Sequence, residues 1–105
     1  MVFDVTVTGF SENGEKLFSL NTPWISGFDL MSDDRFETVE GVNEGYLDMS
    51  ARLSVEEMKE IHNKYSPNSK AYKKETYGKE MKFLDDAFDI YKDSLSRFNI
   101  WLAEW

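Results

Sequence analysis

Residues 83–95 read FLDDAFDIYKDSL, and this stretch carries Asp85, Asp89 and Asp93 at intervals of four residues. On an α-helix that spacing places the three carboxylates on one face, with Asp86 beside them. Carboxylates at i and i+4 repel each other by about 0.2–0.5 kcal/mol, and aspartate forms helices less well than glutamate. We therefore predict a binding role for the row, because a short carboxylate loses little entropy when a partner's lysine or arginine holds it.

Two other interpretations of this row stay open. The carboxylates are also typical of a solvated helix face, which the helix macrodipole would favour if the helix restarts near Gly78. They could instead bind a metal ion, although we predict no metal site and no cofactor. The predicted binding role has a further basis. A row of aspartates about 6 Å apart per helical turn resembles the charge spacing of a nucleic-acid backbone.

A second acidic zone surrounds Trp24, where we predict that Asp33, Asp34 and Glu37 contact a partner. A tryptophan among carboxylates has the composition of an interface hot spot, in which an aromatic anchor is surrounded by charges that steer the approach. The alternative is that Trp24 belongs to the core, as most tryptophans do.

Catalytic motifs are missing from the sequence. The single histidine, His62, is more typical of a structural position than of a catalytic one, and the chain has no cysteine. No GxSxG, GxGxxG, P-loop or HExxH motif occurs, and the aspartates at 29, 33 and 34 lack the spacing of an EF-hand. We therefore predict a protein that is not an enzyme.

The composition favours one folded, acidic domain over residues 1–105. Hydrophobic residues make up 41% and aromatic residues 15%, which is enough for a core, and the net charge is −8. Acidity repels nucleic acid and anionic membranes and attracts basic proteins. No stretch approaches the roughly 18 apolar residues of a membrane span, so we expect a cytoplasmic protein without membrane or direct nucleic-acid contacts, despite a basic, tyrosine-containing segment at 64–82.

The order of patterns predicts an α+β fold with an antiparallel sheet of about four strands over residues 2–53. Phe3, Val5 and Val7 alternate with polar residues, and Asn13-Gly14 predicts a hairpin turn. The other predicted strands are residues 16–20, 35–42 and 46–53.

Two helices are predicted to follow and to pack on one face of the sheet. The first covers about 54–65 and starts at a capping box of Ser54 and Glu57, with Leu53 and Met58 at the staple positions. The second covers about 70–104, with a bend at Gly78. Its apolar arc repeats at three and four residues, and Phe83, Ile90 and Trp101 form an adjoining apolar stripe.

In composition the chain resembles small bacterial toxin-immunity proteins and phage-encoded inhibitors, including anti-CRISPR and DNA-mimic proteins. That resemblance implies an inhibitor that occludes the cationic site of a basic target, such as a nuclease toxin or a nucleic-acid-binding defence complex. The alternatives are a chaperone or assembly partner with an apolar binding surface, and a small enzyme whose pocket gathers His62 with carboxylates. The wide helical arc, with Trp101 and Trp105, also allows a homodimer.

Overall fold

A five-stranded antiparallel sheet forms the centre of the computed structural model, which describes residues 3–22, 25, 27–39, 48–65, 79 and 82–104. The strands lie in the order β2-β1-β5-β4-β3. Their bounds are β1 Phe3–Ser11, β2 Lys16–Asn21, β3 Glu37–Val39, β4 Asp48–Ser54 and β5 Leu95–Glu104. The helices are a short α1 (Gly27–Leu30), α2 (Val55–Tyr65) and α3, which includes residues 82–90. The predicted α+β class is confirmed.

The predicted second helix is wrong beyond residue 90. Residues 91–94 form a turn, and Leu95–Glu104 is a strand that lies in the middle of the sheet, between β1 and β4. Phe98, Ile100 and Leu102 alternate along it, and each has 0% exposure. A strand with one buried face shows this period of two. Hydrogen bonds to the neighbouring strands satisfy the backbone groups that would otherwise bond within a helix. The predicted helical residues 70–78, including the bend at Gly78, lie outside the described residues.

The hairpin turn at Asn13-Gly14 is confirmed. Gly14 has a φ of 83°, which is the left-handed region that glycine adopts without strain. Its amide donates to the Ser11 carbonyl at 3.0 Å, and the Ser11 amide donates to the Glu15 carbonyl at 2.9 Å. The turn therefore joins β1 to β2 and fixes their pairing.

The capping box at the start of α2 is confirmed as well. The Glu57 amide donates to Ser54 Oγ at 3.1 Å, and the Ser54 amide donates to Glu57 Oε1 at 3.0 Å. Leu53 and Met58, at the predicted staple positions, are both buried. These local contacts set where β4 ends and α2 begins.

The core lies on one face of the sheet, beneath α2 and α3. Ile100 of β5 pairs with Val7 of β1 and with Ala51 of β4, and all three side chains are buried. In the described parts of α2 and α3, the buried apolar residues that cover this face are Met58, Ile61, Leu84 and Ala87. The opposite face carries mainly polar residues at the alternate positions, including Thr6, Thr8, Ser50, Arg52 and Asn99.

Aromatic contacts hold α3 over the β2 side of the sheet. The Phe18 ring of β2 contacts Phe83 edge-on at 5.6 Å and stacks on Tyr91 at 5.3 Å. On its other side α3 contacts α2, because the His62 ring lies 6.3 Å from Phe88. The outer surface of α3 thus lies along one edge of the sheet.

Candidate protein-binding site

The predicted row of aspartates is divided between α3 and the turn that follows it. Asp85, Asp86 and Asp89 lie on the helix, whereas Asp93 lies in the turn at 91–94. The amide of Tyr91 donates to the Ala87 carbonyl at 3.1 Å, and beyond this point the chain turns into β5. Asp93 therefore lies beyond the helix, and the predicted helical row of three carboxylates ends at Asp89.

Asp85 joins the two long helices. Its Oδ1 atom lies 2.5 Å from Nε2 of His62, whose side chain is only 6% exposed, while the Asp85 side chain is 55% exposed. The histidine packs against Phe88 at the same place. One oxygen of Asp85 therefore contacts α2 and stabilises its packing against α3. Asp85 is for this reason less available to a partner than its exposure implies.

Asp86 has a cation of its own. Lys82, one turn earlier, donates a hydrogen bond from Nζ to Asp86 Oδ2 at 2.6 Å, and this bond to the carboxylate raises the pKa of Lys82. Both groups are well exposed, so the pair contributes little to stability. It does reduce the net charge that Asp86 presents to a partner.

Asp89 and Asp93 are the exposed carboxylates that remain. Within the described part of the chain, neither side chain has an ion pair or a hydrogen bond. Asp89 lies in the last turn of α3, where the macrodipole is negative and disfavours an anion by about 0.3–1 kcal/mol. The macrodipole thus favours a carboxylate at the start of this helix but opposes one at its end.

The β1–β2 hairpin adds two carboxylates, Glu12 and Glu15, that helical spacing in the sequence does not indicate. Ser11 pairs with Leu95 across the sheet, and this register brings the hairpin end beside the turn at 91–94. Glu12, Glu15 and Asp93 line one open cleft there, with a volume of about 460 Å³. Both glutamates flank Asn13-Gly14 in the sequence, but only the strand register shows which part of the chain they meet.

An apolar side chain lies beside these acids. Ile90 follows Asp89 directly and is 65% exposed, although its spacing predicted a place on the apolar stripe. Phe83, predicted on the same stripe, is 38% exposed. We call the surface formed by Glu12, Glu15, Asp89, Asp93 and Ile90 the acidic edge.

The second predicted zone lies at the opposite edge of the sheet and is partly neutralised. Trp24 lies outside the described residues. Asp33 accepts three hydrogen bonds from Arg35: from its amide at 2.9 Å, from Nε at 2.9 Å and from Nη2 at 2.8 Å. Arg35 Nη1 also lies 3.5 Å from Glu57 and 3.6 Å from Glu60, so this arginine links the turn after α1 to α2.

Asp34 and Glu37 are both exposed, but they line separate clefts. Asp34 shares a cleft with Arg35 and Lys64, and Glu37 shares one with Arg35 and Arg52. Basic side chains line both of these clefts, whereas the lining of the cleft at Glu12, Glu15 and Asp93 includes none among the described residues. Asp34 and Glu37 remain predicted contacts.

Replacing Asp33 is expected to change the pH dependence of stability. Hydrogen bonds from the Arg35 guanidinium lower the pKa of Asp33 from 3.8 to about 2. A lowered pKa stabilises the fold above about pH 4, and this contribution is lost as the pH falls towards 2. Asp33→Asn should therefore reduce the free energy of unfolding by about 1 kcal/mol at pH 7, a value discounted for partial exposure.

The measurement is urea unfolding of the Asp33→Asn variant and the wild type between pH 7 and 2. The difference between them should shrink below about pH 4. Asp34→Asn is the matched control, because the Asp34 side chain has no ion pair among the described residues. A deficit of the same size at every pH would contradict the ion-pair explanation.

Neither a metal centre nor a membrane span emerges from the residues that the structure describes. No group of three or more metal-ligating side chains forms within these ranges. None of their helices is long and apolar enough to cross a membrane. His62 is buried beside Phe88 and contacts one carboxylate, an arrangement that joins two helices.

Comparison with protein-family models, with curated proteins and with solved structures gives no significant match to this chain. Any assignment of function therefore depends on the geometry and charge of the chain itself.

Proposed function

We propose that this protein is a non-catalytic inhibitor that binds a basic target and occludes its cationic site. The target class is a nuclease toxin or a nucleic-acid-binding defence complex, because both present cationic surfaces that bind phosphates. The observation that supports this most is the acidic edge, where Asp89 and Asp93 form no ion pair with any described residue.

The position of the carboxylates favours function over solubility. Solubility would be served as well by glutamates paired with lysines, as in the Glu56 and Lys59 pair on α2. Asp89 instead lies where the helix macrodipole opposes it. A group kept at a destabilising position suggests a benefit outside the fold, and capture of a cationic partner supplies one.

Ile90 gives the acidic edge an apolar anchor. Charges at the rim of an interface mainly speed association, and a buried apolar group near its centre slows dissociation. Ile90 is 65% exposed and lies beside Asp89. The acids would speed association with a basic target, and burial of Ile90 would slow its dissociation.

The experiment is affinity capture with the tagged protein from a lysate of the organism that encodes it. Captured proteins are compared at about 0.05 M and about 0.5 M salt, which bracket weak and strong screening. We expect a basic nuclease or nucleic-acid-handling protein that is held at low salt and released at high salt. Once purified, that target should lose activity when this protein is added.

Two results would contradict the proposal. A basic target that keeps full activity in the complex would show binding without inhibition. A partner whose retention does not depend on salt would favour apolar recognition through Ile90 and Phe83, which is the surface an assembly partner would use.

A further inference from the structure

β2 is an edge strand, and part of its backbone faces away from the sheet. The Thr22 amide donates to the Val5 carbonyl at 2.8 Å, which makes these residues a hydrogen-bonded antiparallel pair. Such pairs alternate with pairs whose backbone groups point outwards. The register Ser19 to Thr8 and Asn21 to Thr6 therefore directs the amides and carbonyls of Ser19 and Asn21 away from β1.

Apolar side chains of α3 lie alongside this edge. Phe83 reaches the ring of Phe18 on β2, and Ile90 lies two helical turns further on the same side of α3. The two are the large hydrophobic residues most exposed in the described chain, at 38% and 65%. Among the described residues no strand pairs with this edge of β2. A strand edge with open backbone groups beside exposed apolar side chains is the geometry that strand addition uses.

The charges beside β2 indicate what kind of extended segment could bind there. Glu15 immediately precedes β2, and Glu12 and Asp93 lie in the cleft at that end of the strand. Lys16 at the start of β2 and the polar Ser19 are typical of edges that resist pairing with a copy of themselves. An extended segment with basic residues would meet opposite charge here.

We propose that an extended segment of the basic partner adds to β2 as a sixth strand. Its backbone pairs with Ser19 and Asn21, alternate apolar side chains pack on Phe83 and Ile90, and its basic side chains reach the acidic edge. This mode of binding rests on the proposed function and specifies the partner's chemistry: an extended chain that alternates apolar and basic residues.

The test uses a synthetic peptide of about ten residues that alternates valine and lysine, a length that spans an average strand with flanks. Its affinity is measured for the wild type, Ser19→Pro and Ser19→Ala. Both variants lose the contact between Ser19 Oγ and Thr8 Oγ1 at 3.2 Å, but only the proline variant loses the outward amide. Proline is tolerated at an edge position whose amide faces away from the sheet.

We expect Ser19→Pro to bind the peptide about tenfold more weakly than the wild type, and Ser19→Ala to bind normally. The same peptide N-methylated on alternate residues should bind the wild-type protein about as weakly as the proline variant binds the unmodified peptide. Hydrogen exchange gives a third measurement that needs no variant, since the amides of Ser19 and Asn21 should become protected in the complex.

Strand addition is overturned if Ser19→Pro binds as well as Ser19→Ala, if N-methylation has no effect, or if the wild type does not bind the peptide. The proposed function has a separate readout. If the strand-addition test fails but an Asp89→Lys, Asp93→Lys variant no longer binds the natural target, the inhibitor proposal stands without strand addition.

Discussion

Charge reversal at Asp89 and Asp93 is expected to weaken capture of the basic target by about a hundredfold at low salt. Each substitution replaces an attraction at the acidic edge with a repulsion, and neither carboxylate has a described partner in the fold that would be lost. The effect should diminish as salt rises, because exposed charges are screened.

Folding of this double variant should be intact. Lysine at position 89 lies near the carboxyl end of α3, where a cation suits the macrodipole, and it also removes the repulsion between Asp85 and Asp89. We therefore expect the free energy of unfolding to stay the same or to rise by a few tenths of a kcal/mol, roughly the size of these helix effects. Stability that holds while affinity falls separates a binding role from a structural one.

The matched control is Asp4→Lys with Asp29→Lys, which changes the net charge equally at two exposed carboxylates outside the acidic edge and the other predicted contacts. Isothermal titration of the captured target at two salt concentrations compares the three proteins. An equal loss of affinity in both double variants would show that binding depends on net charge alone. An unchanged affinity for the Asp89 and Asp93 variant would remove the acidic edge from the interface.

Features that depend on neighbouring residues could be predicted from the sequence. The turn at Asn13-Gly14 needs only a glycine with positive φ, and the capping box needs only Ser54 and Glu57 three residues apart. The exposed position of Asp89 on α3 could be predicted for the same reason, since helical spacing alone places it opposite the buried Leu84 and Ala87.

β5 was missed because its residues fit two periods at once. Leu95, Phe98 and Leu102 continue the helical spacing of α3, while Phe98, Ile100 and Leu102 alternate as in a strand. Local sequence does not choose between these patterns. The choice comes from pairing with β1 and β4, which lie far away in the chain and supply hydrogen bonds to both sides of β5.

The composition of the acidic edge depended on the same long-range pairing. Glu12 and Glu15 share a cleft with Asp93 because Ser11 pairs with Leu95, and a helix through residue 104 could not form this strand pairing. Asp33 shows the opposite case, in which a predicted contact is used inside the fold by Arg35. Sequence spacing found the carboxylates, but tertiary contacts decide which of them a partner could engage.

Ile100→Ala is expected to reduce the free energy of unfolding by about 3 kcal/mol, the middle of the range for deleting a buried isoleucine side chain. Ile100 is 0% exposed and faces Val7 and Ala51 on the neighbouring strands, so the cavity would lie at the centre of the sheet. A domain of this size has about 5–15 kcal/mol of stability in total. Urea unfolding monitored by tryptophan fluorescence measures the change.

Ile90→Ala is the matched control, because it makes the same chemical change at a side chain that is 65% exposed. It should change the free energy of unfolding by less than about 0.5 kcal/mol, since alanine also favours the helix. The helical pattern predicts the reverse, with Ile90 on its apolar stripe and Ile100 off it. A larger loss for Ile90→Ala than for Ile100→Ala would therefore reject β5 as a strand, while the expected order would place Ile100 in the core and Ile90 on the surface.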